Sequence, residues 1–280
     1  MSSDTSVLQS HGNDKPNPNA PTVLHLVSRL DGGGGSRLAI DLATALVESG
    51  GRALIAYDGE ASTYELTRHR ITPIVEALTS RNPLSGFTVT RRLAHVIREQ
   101  KVDLVHTQNA TLAAVGQAAA NKAGAKMIAT FCDGPGDVAT LSKKTRTALI
   151  NSDHVLTLSY LTANLLSDAL PELRERLSVV PYGVDLTRFD PHRVAAQRMV
   201  QLATYWRLPD DKPVIMLPAR YAPQKGHALL LEALTEVKDV DLRCIIVGPS
   251  PDGGAYRDQL DKLVTMMGLE DRVLLADECR

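Results

Sequence analysis

From Pro21 onward, short runs rich in β-branched residues and Leu alternate with longer stretches of helical period. No other feature constrains the fold as strongly. Strands that each hand over to a helix must return by a crossover, so they lie parallel and the helices cover the sheet. The fold class is therefore α/β, with doubly wound parallel sheets. Strands are expected at Val23 to Ser28, Ala53 to Tyr57, Ile71 to Val75, Val102 to His106, Lys126 to Thr130, Val155 to Leu158 and Leu177 to Val180. In the first helix, Leu38, Leu42 and Leu46 with Ala39 and Ala43 are expected to form the buried stripe, and Gly50-Gly51 to end it. Asn82-Pro83 opens a later helix whose Arg91, Arg92, Arg98 and Glu99 face water.

The segment Val179-Val-Pro-Tyr-Gly-Val-Asp-Leu-Thr-Arg-Phe-Asp-Pro191 breaks this rhythm, because two prolines and Gly183 exclude a regular element. A domain boundary falls there. Residues 1–20 are polar, with no apolar stretch, and are expected to form a disordered tail; residues 21–185 form one Rossmann-like domain and residues 186–280 a second. After a polar helix to about Arg207, strands are expected at Val214 to Leu217, Leu242 to Val247 and Arg272 to Ala276, with helices at His227 to Val237 and Tyr256 to Met267. A complete domain of this type has about five or six strands. The second domain is therefore expected to be incomplete.

Composition removes several classes of function. Lys plus Arg is 31 and Asp plus Glu is 32, a formal charge of -1, which gives no global attraction for nucleic acid. Aromatic residues are 4 % of the chain, too few for the stacking platforms of single-strand binders. No apolar run reaches the roughly 18 residues of a membrane span. Cys132, Cys244 and Cys279 are odd in number and widely spaced, so they suggest neither a disulfide framework nor a metal knuckle, and a reducing cytoplasm fits.

Four constellations carry chemistry. Leu30-Asp-Gly-Gly-Gly-Gly-Ser-Arg37 joins the first strand to the first helix; its glycines let backbone approach phosphate or sugar, and the helix amino end favours an anion. Asp58 stands at about the spacing of a ribose-binding acid, but Arg37 occupies the third glycine of the dinucleotide fingerprint, so a dehydrogenase is disfavoured. Leu217-Pro-Ala-Arg-Tyr-Ala-Pro-Gln-Lys-Gly226 follows the first strand of the second domain, and Arg220 and Lys225 add cations to a helix amino end: a pyrophosphate site in outline. Asp103-Leu-Val-His106 places a His at a strand end, and Thr130-Phe-Cys-Asp-Gly-Pro-Gly136 follows the next strand. The alternatives are a ligand-free turn, solvated loop cations and a structural His. Lys143-Lys-Thr-Arg146 could meet an anionic membrane surface, although such a face is more often only solvated.

In order, these pieces resemble the group 1 (family 4) glycosyltransferases of the GT-B fold. Matching pieces are the Gly loop to Arg37, the strand ending at His106, Ser152-Asp153-His-Val-Leu-Thr-Leu-Ser159, Pro181-Tyr-Gly-Val-Asp185, Arg220 with Lys225-Gly226, Val247-Gly248 and Gly268-Leu-Glu-Asp-Arg-Val273. The resemblance implies sugar transfer from a UDP- or GDP-sugar to a cell-envelope glycan or lipid-linked acceptor, with retention, no metal and no cofactor. It implies an acceptor-side first domain, a donor-side second domain and peripheral association with the inner membrane face. It places Arg220, Lys225 and Gly226 on the donor pyrophosphate, Gly248 on the nucleotide side and Gly33, Gly34 and Arg37 at the cleft. His106 and Asp133 are the catalytic candidates.

The sequence departs from the family at three places. Ser36 stands where an acid is usual, Cys132 where a His is usual, and the family's pair of donor-binding glutamates would lie beyond Arg280; Glu278 falls too early to serve. An inactive remnant or a binding module is therefore the second expectation.

Overall fold

The computed structural model describes residues 20–30, 33–79, 83–132, 134, 136–250 and 253–276, without the side chains of 83–85. The expected tail to residue 19 lies outside the described residues, as do Asp31, Gly32, Asn82, Asp133, Pro135, Glu278 and Cys279. The chain divides into two compact units, Met1–Asp185 and Leu186–Arg280.

The first unit has strands β1 (Thr22–Leu26), β2 (Arg52–Tyr57), β3 (Thr72–Val75), β4 (Leu104–Thr107), β5 (Lys126–Phe131), β6 (His154–Thr157) and β7 (Leu177–Val179). They form one sheet in the order β3-β2-β1-β4-β5-β6-β7, and every neighbouring pair is parallel. Helices α1 (Gly34–Glu48), α2 (Tyr64–Arg68), α3 (Pro83–Glu99), α4 (Ala110–Ala123), α5 (Asp137–Thr140), α6 (Lys143–Ile150) and α7 (Tyr160–Ala169) make the crossovers. The order reverses direction between β1 and β4, which is where ligands enter doubly wound sheets.

Two apolar layers hold this unit together. On one face Leu24, Leu26, Leu54, Val105, Met127 and Val155 meet residues of α3, α4, α6 and α7 such as Leu93, Leu112, Leu149 and Leu166. On the other face Ala53, Ile55 and Tyr57 meet Ala39, Ile40 and Ala43 of α1. The buried stripe of α1 differs from expectation: Leu42 is 39 % exposed, whereas Ile40 is buried. Steps of four residues overshoot a full turn by about 40°, so the stripe is held by mixed steps of three and four, here Ser36, Ala39, Ile40 and Ala43. The helix ends at Ser49, and Gly50 follows in the left-handed region at φ 90.

The second unit opens with α8 (Ala196–Tyr205) and continues β8 (Val214–Pro218), α9 (His227–Glu236), β9 (Arg243–Val247), α10 (Ala255–Met266) and β10 (Val273–Ala276). Its parallel sheet runs β10-β9-β8. Tyr221, Leu231, Leu234, Ile246, Leu260 and Val264 form the main core, while Trp206 packs with Ile245 and Ala276 in a smaller cluster. Strand β8 pairs only with β9 among the described residues, and Val214, Ile215 and Met216 are 42, 39 and 44 % exposed.

Candidate functional site

In the first unit, the loops at the carboxyl edge of the sheet bring several groups together. Gly33 precedes α1 in extended conformation with no side-chain cap, and no acidic residue stands in the first turn. The helix therefore presents its amino end without a neutralising side chain, suited to an anion. Ser36, where an acid is usual in the family resembled, is buried and donates its hydroxyl to the Gly33 carbonyl at 2.8 Å. Arg37 does not face outward alone: it is paired with Asp41 and, at 2.6 Å, with Glu65. The Asp41 hydrogen bond, with help from Glu65, raises its pKa against partial burial.

Tyr182 was part of a recognised motif but had no expected role. Its hydroxyl is hydrogen-bonded to the Cys132 thiol and lies where a side chain on Gly34 would begin, 3.4 Å from the Cβ position. Burial foremost, then the charge and hydrogen bond of Cys132, push its pKa up to about 12. The phenol is thus a hydrogen-bond donor at any physiological pH. Nearby, the Asn109 side chain caps α4 by accepting from Leu112 N at 3.1 Å and donates to Ser28 Oγ at 2.6 Å, which ties the ends of β1 and β4.

His106 was expected at the ligand-facing edge and is instead enclosed, 4 % exposed. Its Nε2 lies 2.7 Å from Thr130 Oγ1, and its Nδ1 lies 3.3 Å from Gln108 Nε2. The same amide nitrogen lies 3.4 Å from His25 Nδ1. Because an amide nitrogen only donates, both Nδ1 atoms accept and the protons sit on Nε2. Burial lowers the pKa of His25 to about 3, helped by the neighbouring His106, and that of His106 to about 4. Both rings are neutral. Asp58 likewise has a local task, accepting from the backbone and hydroxyl of Thr79, and Asp103 accepts from Thr22 N at 2.8 Å.

The second unit builds its site from backbone. Past the end of β8, Ala219 N donates to Val247 O at 2.9 Å and Tyr221 N to Pro249 O at 2.8 Å, so the Ala219–Tyr221 segment continues the ladder beside Gly248. A Cβ on Gly248 would lie 2.2 Å from Ala219 O and 3.0 Å from Arg220 N. The position is a glycine because another backbone occupies the side-chain space. Tyr221 anchors the segment from below, its hydroxyl 2.8 Å from Ile246 O and 3.0 Å from Ala276 O. The turn Pro223–Lys225 then leads into Gly226, left-handed at φ 75, which opens α9 with no side-chain cap and no acid in the first turn.

Arg220 and Lys225 flank this helix end, both exposed, and neither makes an ion pair among the described residues. Beneath them His227 is buried, its ring stacked on Tyr221 at 5.5 Å and edge-on to Tyr256 at 5.8 Å. Its nitrogens face the Ala219 and Ala222 backbone without a well-formed hydrogen bond, and burial lowers its pKa. Two cations without an ion pair among the described residues, beside an uncapped helix amino end, make this edge electropositive and suited to an anion.

Comparison with known proteins gives the same assignment for both halves. The family model for Glycosyltransferase Family 4 matches residues 32–188, and that for Glycosyl transferases group 1 matches residues 204–279. The chain is 29 % identical over 226 residues to the GDP-mannose-dependent alpha-(1-6)-phosphatidylinositol monomannoside mannosyltransferase of Mycolicibacterium smegmatis, covering 78 % of this chain and 54 % of that protein. It is 31 % identical over 179 residues to the D-inositol 3-phosphate glycosyltransferase of Nocardia farcinica, covering 62 % and 36 %. The chain thus spans about half the length, or less, of these curated relatives. Among solved structures, a glycosyltransferase from Rickettsia africae superposes with TM-score 0.77 at 22 % identity, covering 93 % of this chain and 69 % of that one. Anabaena HepE in complex with UDP and glucose gives TM-score 0.77 at 20 % identity, covering 93 % and 70 %.

Proposed function

The chain belongs to glycosyltransferase family 4, within the group 1 glycosyltransferases of GT-B fold, and from that premise we propose that it takes part in sugar transfer from a UDP- or GDP-sugar. The observation that carries the proposal is the second unit's helix end, where Gly226 opens α9 beside Arg220 and Lys225, neither of which makes an ion pair among the described residues. When the sugar–phosphate bond breaks, charge grows on the leaving diphosphate. Fixed cations and helix N–H groups stabilise that charge more than the ground state, which is what accelerates the step. Because both positive groups belong to the protein, this reading needs no metal or cofactor. Gly248 lets the nucleotide-side backbone approach closely.

The first unit takes the acceptor. Gly33 and Gly34 supply backbone without side chains at the amino end of α1, with Tyr182 as a donor beside Gly34. Arg37 acts by fixing the amino end of α1 to Asp41 and Glu65. His106 is a positioning group for Thr130, and Asp133 remains the acidic candidate on the loop after β5. A lipid-linked acceptor is in keeping with the name of the mannosyltransferase relative, which contains a phosphatidylinositol monomannoside, and an inositol phosphate with that of the other; the cell-envelope glycan or lipid, met at the inner face of the membrane from the cytoplasm, is the reading that the family resemblance carries. Among the described residues no helix is long and apolar enough to cross a membrane.

Release of UDP or GDP from a panel of nucleotide-sugars, with inositol phosphate and lipid acceptors, tests this reading. Product of the donor's own anomeric configuration, formed equally in EDTA, is expected. Inverted product or an absolute metal requirement contradicts it.

A further inference from the structure

The Lys143-Lys144 pair lies outside the donor site, and the structure sets it beside an apolar hollow of the first unit. A groove of about 1030 Å³ opens between the amino-terminal halves of α3 and α4 and the α5–α6 segment. A second hollow of about 570 Å³ continues it along α4 and α6, and the two share Ala114, Ala118 and Lys144. The apolar surface of the groove is offered by Phe87, 68 % exposed, and by Ala77, Ala114 and Ala118. These stand above the buried Leu78, Val89 and Leu112, with threonines such as Thr90 and Thr111 among them. Ala114 and Ala118 keep the surface of α4 low, leaving a trough where larger side chains would have filled it.

Along α6 the groove is edged by cations. Lys144 lines both hollows and Lys143 the smaller; neither makes an ion pair among the described residues. Arg146, in contrast, is turned inward to the Leu141 and Val138 carbonyls at 3.1 and 3.5 Å. Helices α3, α4 and α6 carry no acid in their first turns. The carboxylate that lines the groove, Asp137, accepts from Gly134 N at 2.7 Å. Lys122 adds a cation over the Phe87 ring, 5.8 Å from its centroid. A polar glycan would leave the apolar surface wet, and free phosphate would leave it empty.

We infer that this groove holds one phosphate-bearing amphiphile, its hydrocarbon chain lying along Phe87, Ala114 and Ala118 and its phosphate at Lys143 and Lys144. Binding depends on the groove alone; that the amphiphile is the sugar acceptor rests on the transferase reading. Each methylene entering the groove multiplies affinity about fourfold, so chain length is a sensitive probe.

Calorimetric titration of the full chain below the micelle concentration decides it, using dodecyl phosphate, octyl phosphate, inorganic phosphate and dodecyl maltoside. Dodecyl phosphate should bind at least tenfold more tightly than each of the others. Ala118→Trp, an exposed position that fills the trough, and the pair Lys143→Glu with Lys144→Glu should each weaken it at least tenfold and leave nucleotide titration unchanged. Equal binding of inorganic phosphate or of the maltoside overturns the inference, as does an Ala118→Trp chain that binds normally. Phosphatidylglycerol vesicles separate surface adsorption: if only the Lys replacements release the chain from them and Ala118→Trp has no effect on dodecyl phosphate, the groove is not the site. Failure of nucleotide binding would refute the donor site and leave this result standing.

Discussion

Gly248→Ala should damage the second unit and its site together. Gly248 is not in the left-handed region, so alanine costs nothing in backbone conformation. The cost is the Cβ placed 2.2 Å from Ala219 O and 2.5 Å from its carbonyl carbon. Restoring ordinary contact requires the Ala219–Arg220 peptide to retreat by roughly 1 Å. That retreat strains or breaks the flanking hydrogen bonds, Ala219 N to Val247 O and Tyr221 N to Pro249 O. Each is worth about 1 kcal/mol net, and overpacking itself costs about 1–3 kcal/mol; the smaller entropy of the unfolded alanine chain returns about 0.5 kcal/mol. The expected loss is about 2–4 kcal/mol. Trp206 is the chain's single tryptophan and is buried in this unit against Ile245 and Ala276. Its fluorescence during urea unfolding therefore reports this unit, and the midpoint should fall accordingly. Displacing the Arg220 backbone should also raise the dissociation constant for UDP or GDP at least tenfold. A midpoint shift worth less than about 1 kcal/mol, with unchanged nucleotide binding, would refute the reasoning that backbone contact at Gly248 builds the site.

Acid should destabilise the first unit through His25 and His106. Their folded pKa values of about 3 and about 4 lie below the unfolded 6.5, so the unfolded chain gains protons first as pH falls; the stability is whole above about pH 6.5 and drains below it. At pH 5 the two together should have lost about 4 kcal/mol, and a flat urea midpoint by circular dichroism between pH 6.5 and 5 would contradict this. Tyr182→Phe removes the hydroxyl that meets Cys132 while keeping the ring. It should speed alkylation of Cys132 severalfold with little change in stability, as mass spectrometry of the labelled chain would show; an unaltered rate would mean the pair does not shield the thiol.

The strands were legible because most are short β-branched or Leu-rich runs between helical stretches, as a sheet covered on both faces requires; their order in the sheet was not, since it depends on contacts between residues distant in sequence. Less legible was everything set by residues distant in sequence. His106 looked like a rim residue from its place at a strand end. Its enclosure depends on Thr130, on the next strand, and on Gln108 bridging it to His25. Arg37 was read as a cleft residue, and its pairing with Asp41 one turn away and with Glu65 on another helix came only from the structure. Asp58 had the spacing of a ribose ligand, yet it caps the turn at Thr79. The helix-end cations of the second unit were visible because motif, turn and strand lie within one short segment. The steric reason for Gly248 was not, since the backbone it receives comes from the preceding βα loop.

The most direct test of the donor site is calorimetric titration of the 280-residue chain with UDP, GDP and the matching nucleotide-sugars, beside an Arg220→Ala, Lys225→Ala double variant of unchanged Trp206 unfolding midpoint. A working diphosphate receptor at the amino end of α9 predicts binding by the parent chain that the variant loses by at least tenfold. Equal binding by both chains would place the phosphates elsewhere, and no heat from the folded parent would contradict a donor site in this unit.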